Sequence, residues 1–278
     1  MTDPVDTQRF ALGIEYGGAR YAGWQRQLEV PSIQAEVERA LGGVADHPVT
    51  VACGGRTDAG VHALGQVAHF DTRAVRSPRG WVLGANSQLP ADIALTWAVQ
   101  VGPDFHARYS ALARTYRYVI QNRAVRPGLY AGRMGWIREP LDELAMHEAA
   151  QCLVGTHDFS SFRAAECQSR SPQRRLEAIA VWREGWQVFV EVTANAFVHH
   201  MVRNIVGTLI PVGHGEHPPQ WVATVLAGRD RAAAGVTAAA DGLYLVAIRY
   251  PPQAGLPVSA PPSASAMIPG ACVQRDRP

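Results

Sequence analysis

The sequence contains no lysine, and it has 26 arginines. This absence excludes Schiff-base catalysis and the lysine with which a P-loop holds nucleotide phosphates. Long apolar runs are also absent, and no stretch approaches the ~20 residues that a membrane-spanning helix needs. Met1–Arg9 is polar and acidic and lacks a signal-peptide pattern. We therefore expect a cytoplasmic protein with no membrane partner.

Cysteine is scarce, and the four cysteines are widely separated in the 278-residue chain. They form neither a Cys-x-x-Cys pair nor a zinc-binding pattern. We interpret all four as reduced and structural. They are Cys53, Cys152, Cys167 and Cys272.

Acidic residues are missing from Arg108 to Arg138, a segment that holds seven arginines with tyrosines and Trp136 interleaved. An ordinary protein surface mixes both signs of charge, whereas this composition suits phosphate contacts and stacking on bases. A solvated pair of strands with extended arginines is the alternative. We favour contact with nucleic acid, although the net charge of +2 is too small to establish it.

Hydrophobic periodicity predicts an α+β fold in which the order of elements starts again near Arg108. We predict two similar halves, residues 1–105 and 106–250, with a ligand between them. Residues 251–278 are rich in Pro, Ala and Ser, and we predict a mobile tail there. The predicted strands are Arg9–Tyr16, Val49–Cys53, Leu64–Phe70, Ile93–Val101, Thr115–Gln121, Leu176–Trp182, Trp186–Thr193 and Leu243–Arg249. One predicted helix begins at Pro31-Ser32 and ends at Gly42-Gly43. The other predicted helices are Pro78–Ser87, Leu141–Val154, Phe197–Val212 and Pro219–Leu226.

The segment Gly54–His62, Gly-Gly-Arg-Thr-Asp-Ala-Gly-Val-His, lies between two predicted strands. Its glycines permit a tight loop to which a bulky partner can approach closely. Asp58 is the one carboxylate of this loop, and Arg56 is its one cation. Catalytic groups commonly occupy such loops on a rigid scaffold, although Asp and Gly also serve in ordinary β-turns.

With this loop and several further segments in the expected order, the chain from about Arg9 to Pro251 resembles the TruA family of tRNA pseudouridine synthases. One such segment would be weak support, but the ordered set is specific. Besides residues 56–62, the segments are Gly23–Gln27, Ser32–Gln34, Phe105–Arg108, Arg114–Tyr118, Asp158–Arg163, Phe197–Asn204 and Gly242–Leu245.

The resemblance implies an isomerase that converts uridine to pseudouridine at positions 38 to 40 in the anticodon stem-loop of tRNAs. It also implies the pseudouridine synthase fold, with antiparallel sheets and flanking helices in two halves around a central basic cleft. The family works as a homodimer with tRNA as its substrate, and it uses no cofactor and no metal. A non-catalytic RNA-binding module on the same fold is the alternative function.

The resemblance also implies roles for individual residues. Asp58 corresponds to the catalytic carboxylate, and Tyr116 to the residue that stacks on the target base. Arg203 would pair with Asp58, Arg56 would help to extrude the nucleotide, and Leu243 would line the pocket. Whether Arg56 or Arg203 is the main partner of Asp58 stays open. We also expect weaker RNA contacts from the neighbouring basic and aromatic segments, namely Arg114, Arg117, Phe162, Arg163 and His200.

Two further features of the sequence are a set of three histidines and a pair of glycines. His62, His199 and His200 are possible metal ligands in a hydrolase that would also use Asp58. Neighbouring residues on a helix point about 100° apart, so we favour packing or RNA hydrogen bonds for this histidine pair. The chain also departs from the family by having Gly17-Gly18 where Asp-Gly is usual, and we expect the difference to alter local hydrogen bonding only.

Overall fold

A computed structural model describes residues 7–167 and 169–257. The described residues form two compact units. Unit 1 comprises 7–114 and 244–257, and unit 2 comprises 115–167 and 169–243. This division differs from the predicted halves at both boundaries, because residues 106–114 and the last strand from Tyr244 onward belong to unit 1. No helix among the described residues has the length and apolar character required to cross a membrane.

Unit 1 contains a sheet with the strand order β4-β1-β3-β10, and a short strand, β2, also pairs with β3. Strand β3 runs antiparallel to β1 and β2 but parallel to β10, where Tyr244 pairs with His62. The strands are β1 (Gln8–Tyr16), β2 (Val51–Cys53), β3 (His62–Thr72), β4 (Ile93–Val101) and β10 (Leu243–Arg249).

Two helices pack together in unit 1: α1 (Ile33–Ala45) and α2 (Pro78–Asn86), of which α2 also covers β4. The Ser32 side chain caps α1 by accepting a hydrogen bond from the Ala35 N–H. The apolar face of α1 is fully buried at helical spacing. Because Gly42 and Gly43 lie inside α1, the predicted helix end is wrong, and the helix stops instead at Asp46 in the left-handed conformation.

The strands of unit 2 follow one another in the order β5-β9-β8-β7. Strand β8 is antiparallel to both β7 and β9, and the short strand β6 is parallel to β5. The strands are β5 (Ala113–Asn122), β6 (Gly135–Ile137), β7 (Gly155–Asp158), β8 (Gln173–Glu184) and β9 (Gln187–Ala194).

The helices of unit 2 are α3 (Glu143–Ala150), α4 (Met201–Gly213) and α5 (Trp221–Gly228). Helix α3 packs against β8 and α4. Helix α4 begins four residues later than the predicted Phe197, because His200 adopts the left-handed conformation with φ 62°. A non-glycine residue in that conformation cannot continue an α-helix, so the segment before Met201 is a loop.

The α+β prediction is confirmed, since sheets and flanking helices occur in both units. The predicted mobile tail begins differently from the expectation. Pro252–Ala254 form a helical turn, and Ala254 and Leu256 pack against the apolar cluster around Phe105 in unit 1. The rest of the predicted tail, residues 258–278, lies outside the described residues.

Candidate active site

The loop Gly54–His62 connects two antiparallel strands, β2 and β3, as predicted. Its central turn closes through a hydrogen bond from the Val61 N–H to the Asp58 carbonyl, 3.1 Å long. Gly60 takes a φ of 80°, which a side chain would oppose. The Asp58 side chain is half-buried, whereas Arg56 is exposed. The turn therefore presents a carboxylate and a guanidinium two residues apart.

Gln66 fixes the start of this loop from strand β3. Its side-chain amide is fully buried, and it both accepts from the Gly55 N–H at 3.2 Å and donates to the Gly55 carbonyl at 2.5 Å. The neighbouring Gly54 N–H donates to the Val67 carbonyl. No role for Gln66 is predicted from the sequence, although an amide inside the apolar segment Leu64–Phe70 is a signal, because a buried polar side chain needs partners.

Thr57 holds the middle of the loop from the other side. Its carbonyl accepts from the Trp24 N–H at 3.0 Å, and its hydroxyl lies 2.8 Å from the Tyr16 hydroxyl. Burial raises the pKa of Tyr16, so this phenol stays neutral as a hydrogen-bond partner. Gly23 lies so close that a Cβ there would meet the Thr57 carbonyl oxygen at 2.7 Å. The Gly23–Gln27 segment thus supports the candidate catalytic loop by packing.

His62 ends the loop as a buried packing residue. Its Nδ1 accepts from the Gly18 N–H at 3.0 Å, and its ring stacks on Tyr244 with centroids 4.7 Å apart. A Cβ on Gly18 would lie 1.9 Å from the Val61 carbonyl oxygen, whereas one on Gly17 would meet nothing nearer than 3.8 Å. Gly18 is therefore required by the loop, while the unusual Gly17 leaves room for a side chain.

Arg114 is placed where it holds the loop. Its guanidinium donates to the Gly54 carbonyl through Nε and Nη2, at 3.1 Å and 2.8 Å, and Nη2 also donates to the Arg108 carbonyl at 2.7 Å. These bonds direct the guanidinium at backbone carbonyls and give Arg114 an internal role, while its predicted contact with RNA stays a prediction. Its position at the beginning of β5 could not be recognised from the sequence as adjacent to the Asp58 loop.

In unit 2, Tyr116 lies on β5 with 8% of its surface exposed. Its ring meets Phe197 edge to face, with centroids 5.1 Å apart and planes at 83°. An edge-to-face neighbour constrains the orientation of the phenol ring. The loop that precedes α4 therefore contributes to positioning this tyrosine.

Arg203 on α4 is joined to the segment that precedes β10. Its Nε donates to the Ala238 carbonyl at 2.7 Å, and the Ala238 N–H donates back to the Arg203 carbonyl at 3.1 Å. Tyr118 lies two residues after Tyr116 on the same face of β5, and its hydroxyl donates to the Ala239 carbonyl at 3.0 Å. Leu243, four residues further on, is buried. Hydrogen bonds within unit 2 thus connect α4, which carries Arg203, and β5, which carries Tyr116, to the segment that leads to Leu243.

Two residues with predicted RNA contacts are buried. Arg117 is 5% exposed, and its guanidinium binds the Glu191 carboxylate at 2.6 Å and lies over the Trp182 ring. Phe162 is fully buried, and its carbonyl accepts from the Asn204 side chain at 2.8 Å. Both side chains therefore have packing partners within unit 2, and their contact with RNA stays a prediction.

Arg163 and His200 border one loop of unit 2. Arg163 is half-buried and donates from Nη2 to the carbonyls of Cys167 and Ser169, at 2.6 Å and 2.8 Å. The rings of His199 and His200 lie with centroids 4.0 Å apart. The prediction that both histidines lie on a helix is wrong, because they precede α4. Their predicted part in RNA contact stays a prediction.

Comparison with known proteins defines the class. The family model of tRNA pseudouridine synthases matches residues 14–110 and 149–251, and the chain belongs to this family. The matched ranges contain Asp58 with its supporting loop, as well as Arg203 and Leu243. Tyr116 lies between the two ranges.

Individual relatives agree over nearly the whole length. The chain is 57% identical over 249 residues to the tRNA pseudouridine synthase A of Vibrio campbellii, covering 90% of this chain and 94% of the relative. It is 55% identical to the tRNA pseudouridine synthase A of Photobacterium profundum over 251 residues, or 90% and 96% of the two chains. The protein of that name from Coxiella burnetii is 55% identical over 249 residues, which cover 90% and 95%.

Proposed function

We propose that this chain isomerises uridine to pseudouridine at positions 38 to 40 in the anticodon stem-loop of tRNAs. Membership of the tRNA pseudouridine synthase family carries the proposal. The relatives named tRNA pseudouridine synthase A support the choice of tRNA as substrate. The reaction breaks the bond between C1′ and N1, turns the uracil and joins C1′ to C5. The C5 proton is lost and N1 gains one.

Asp58 is the proposed catalytic residue. In its ionised form it either attacks C1′, giving a covalent intermediate, or removes the C2′ proton, giving a glycal. Both routes need one carboxylate at a fixed position, and the loop that carries Asp58 is fixed through Gly55, Thr57 and His62. Because the loop is already held in place, little binding free energy is lost to rearranging it when the substrate binds.

The roles proposed for the other site residues follow from the chemistry of a nucleotide that has been turned out of the RNA stack. Removing a base from its stack costs a few kcal/mol, and stacking on an aromatic ring such as Tyr116 returns roughly 1–3 kcal/mol. The exposed Arg56 has the flat cationic side chain that suits the vacated position and nearby phosphates. Arg203 is a candidate partner of the Asp58 carboxylate, as is Arg56, and Leu243 is proposed as an apolar wall for uracil.

The proposal also covers the oligomeric state of the protein and the place where it works. The protein acts as a homodimer, and it works in the cytoplasm, where tRNA is modified. The absence of a membrane-spanning helix from the described residues agrees with a protein that meets tRNA in solution.

The decisive experiment measures release of tritium from C5 of uridine in tRNA. We expect release by the unaltered protein without added metal or nucleotide, and loss of at least about 1,000-fold in Asp58→Asn, as for removal of other catalytic nucleophiles. Binding of tRNA by the variant should be largely retained. Asp46→Asn is the matched control, because Asp46 is exposed at the end of α1 and asparagine tolerates its left-handed conformation.

Each competing function predicts a different result. A non-catalytic RNA-binding module would bind tRNA without releasing tritium even as the unaltered protein. A metal-dependent hydrolase would lose activity in a chelator. Activity that persists in Asp58→Asn would remove this residue from the mechanism. Mapping pseudouridines in total tRNA with and without the protein tests positions 38 to 40.

A further inference from the structure

A tryptophan occupies the tip of the hairpin between β8 and β9. Glu184 pairs with Gln187, so the connection is the two-residue loop Gly185-Trp186. Gly185 takes a φ of 58°, the conformation that a glycine at the first position of such a loop supplies. The Trp186 side chain is 62% exposed. A large aromatic surface held in water at a rigid turn is characteristic of a binding surface.

The surroundings of Trp186 are built from three segments of unit 2. The Asn122 N–H at the end of β5 donates to the Trp186 carbonyl at 2.7 Å. The Arg123 guanidinium lies over the Trp186 ring, 5.2 Å from its centroid, and the Arg123 carbonyl accepts from the Trp136 indole at 2.9 Å. Trp136 is itself 40% exposed, so two exposed indoles adjoin the same arginine, one through its guanidinium and one through its carbonyl. We call these three side chains, together with Arg126, which is exposed three residues after Arg123, the Trp186 surface.

The charge of this surface is one-sided. Residues 123–138 contain four arginines and no Asp or Glu. The nearest acids in the sequence are Glu139 and Glu184, and the Glu184 carboxylate already accepts from the Trp182 indole at 3.0 Å. Exposed aromatic rings together with cations are the elements with which proteins hold RNA strands, since rings stack on bases and guanidinium groups bind phosphates.

The Trp186 surface lies at the far end of β5 from Tyr116. Six residues separate Tyr116 from Asn122 along this strand, which corresponds to about 20 Å. A nucleotide stacked on Tyr116 therefore cannot touch Trp186, whereas RNA several nucleotides away can. The two features act on different parts of the same substrate.

We propose that the Trp186 surface binds the sugar–phosphate backbone and an unstacked base of tRNA outside the target nucleotide. The inference rests on the proposed function, because tRNA is taken as the substrate. A second copy of this chain is a poorer occupant. In a two-fold symmetric interface the same patch meets itself, which would bring the arginines of both copies together.

Three variants test this surface by tRNA binding and by single-turnover kinetics. Trp186→Ala should raise the Kd for tRNA about tenfold, and Trp186→Phe should restore most of the affinity because it keeps a stacking ring. Arg126→Gln should reduce the slope of log Kd against log salt by about 0.7–0.9, the value of one phosphate contact. The single-turnover rate at saturating enzyme should stay unchanged in all three, because no reacting group is altered.

The matched control is Leu144→Ala, since Leu144 is an apolar side chain of unit 2 that is 74% exposed and lies beside Asp142 and Glu143. This variant should bind tRNA as the unaltered protein does. Equal Kd values for Trp186→Ala and the unaltered protein would overturn the proposal. A change of oligomeric state in sedimentation, with unchanged RNA affinity, would instead assign the surface to contact between copies. Absence of tritium release would reject the proposed function but leave the binding comparison valid.

Discussion

Among single residues, Arg114 connects the candidate catalytic loop to the rest of unit 1. In Arg114→Gln the bonds to the Gly54 and Arg108 carbonyls are lost, while those to Gln66 and Val67 remain at the loop start. Because a displacement of about 1 Å at a reacting group can lower the rate by 100-fold, we expect a fall of up to about that size in the single-turnover rate.

Arg108→Gln is the matched control for Arg114, because only the backbone carbonyl of Arg108 takes part in this contact. It should leave the single-turnover rate unchanged. Affinity for tRNA should change little in Arg114→Gln, since its guanidinium faces backbone carbonyls. A loss of affinity with a normal rate would return Arg114 to the role of an RNA contact.

Two neighbouring glycines give a second prediction. Gly18→Ala forces a Cβ to within 1.9 Å of the Val61 carbonyl, so the loop or β3 must shift, and we expect a loss of stability of about 1–3 kcal/mol. Gly17→Ala adds a methyl group at φ −87° with open space around it and should be neutral or slightly stabilising. Urea unfolding of both variants measures the difference. Equal midpoints would show that the close approach at Gly18 is relieved at no cost.

Sequence and structure agree on the Asp58 loop for a local reason. The loop joins adjacent strands and is marked by Gly54, Gly55 and Gly60, so its place follows from neighbouring residues. Gln66 and Arg114 support it from 11 and 60 residues away, measured from Gly55 and Gly54. Contacts over such distances depend on strand pairing, which periodicity alone does not reveal.

At the scale of secondary-structure elements, strands with strong periodicity were predicted well, and Ile93–Val101 and Leu243–Arg249 have the predicted bounds. The short strands β6 and β7 were missed, because three or four residues carry too little pattern. The start of α4 was placed too early because apolar spacing continues through Val198, while the backbone at His200 breaks the helix.

The contact between α1 and β2 depends on one buried carboxylate. Glu38 is 5% exposed, accepts from the Val51 N–H at 3.0 Å and from the Gln34 amide at 2.8 Å, and pairs with Arg26. Glu38→Ala leaves these donors without their partner. We expect a loss of about 2–3 kcal/mol in the free energy of unfolding, because hydrogen bonds to buried charged groups are the costly ones to remove.

Glu36→Ala on the same helix is the control for Glu38. Its carboxylate pairs with Arg39 at the surface, three residues along, and such pairs contribute at most about 0.5 kcal/mol. Urea unfolding followed by circular dichroism compares the two variants. Similar midpoints for both would mean that water replaces the carboxylate of Glu38 and that α1 does not depend on it.

For the molecule as a whole, stability should depend on pH through His69. This residue lies on β3 with 6% of its surface exposed, and its Nδ1 accepts from the Ala107 N–H at 3.2 Å. Burial, together with the nearby His106 and Arg9, lowers the pKa of His69 from its usual 6.5 to about 4. The folded state therefore favours the neutral ring, whereas the unfolded chain accepts a proton at pH values below about 6.5.

The sign of the pH effect follows from this difference in proton uptake. Above about pH 6.5 both states carry a neutral His69 and its contribution to stability is complete; as the pH falls toward 4, the unfolded state gains protons and stability declines. We expect the Tm to fall between pH 7 and pH 5, and His69→Asn, whose side-chain oxygen can still accept from Ala107, to flatten that fall. The exposed His217 provides the control His217→Asn, in which the fall in Tm between pH 7 and pH 5 should be as steep as in the unaltered protein. The carboxylates whose pKa is lowered by an arginine, such as Asp71 beside Arg9, lose their contribution only in more acidic solution and do not mask this window. An unchanged slope in His69→Asn would mean that His69 does not control stability between pH 7 and pH 5.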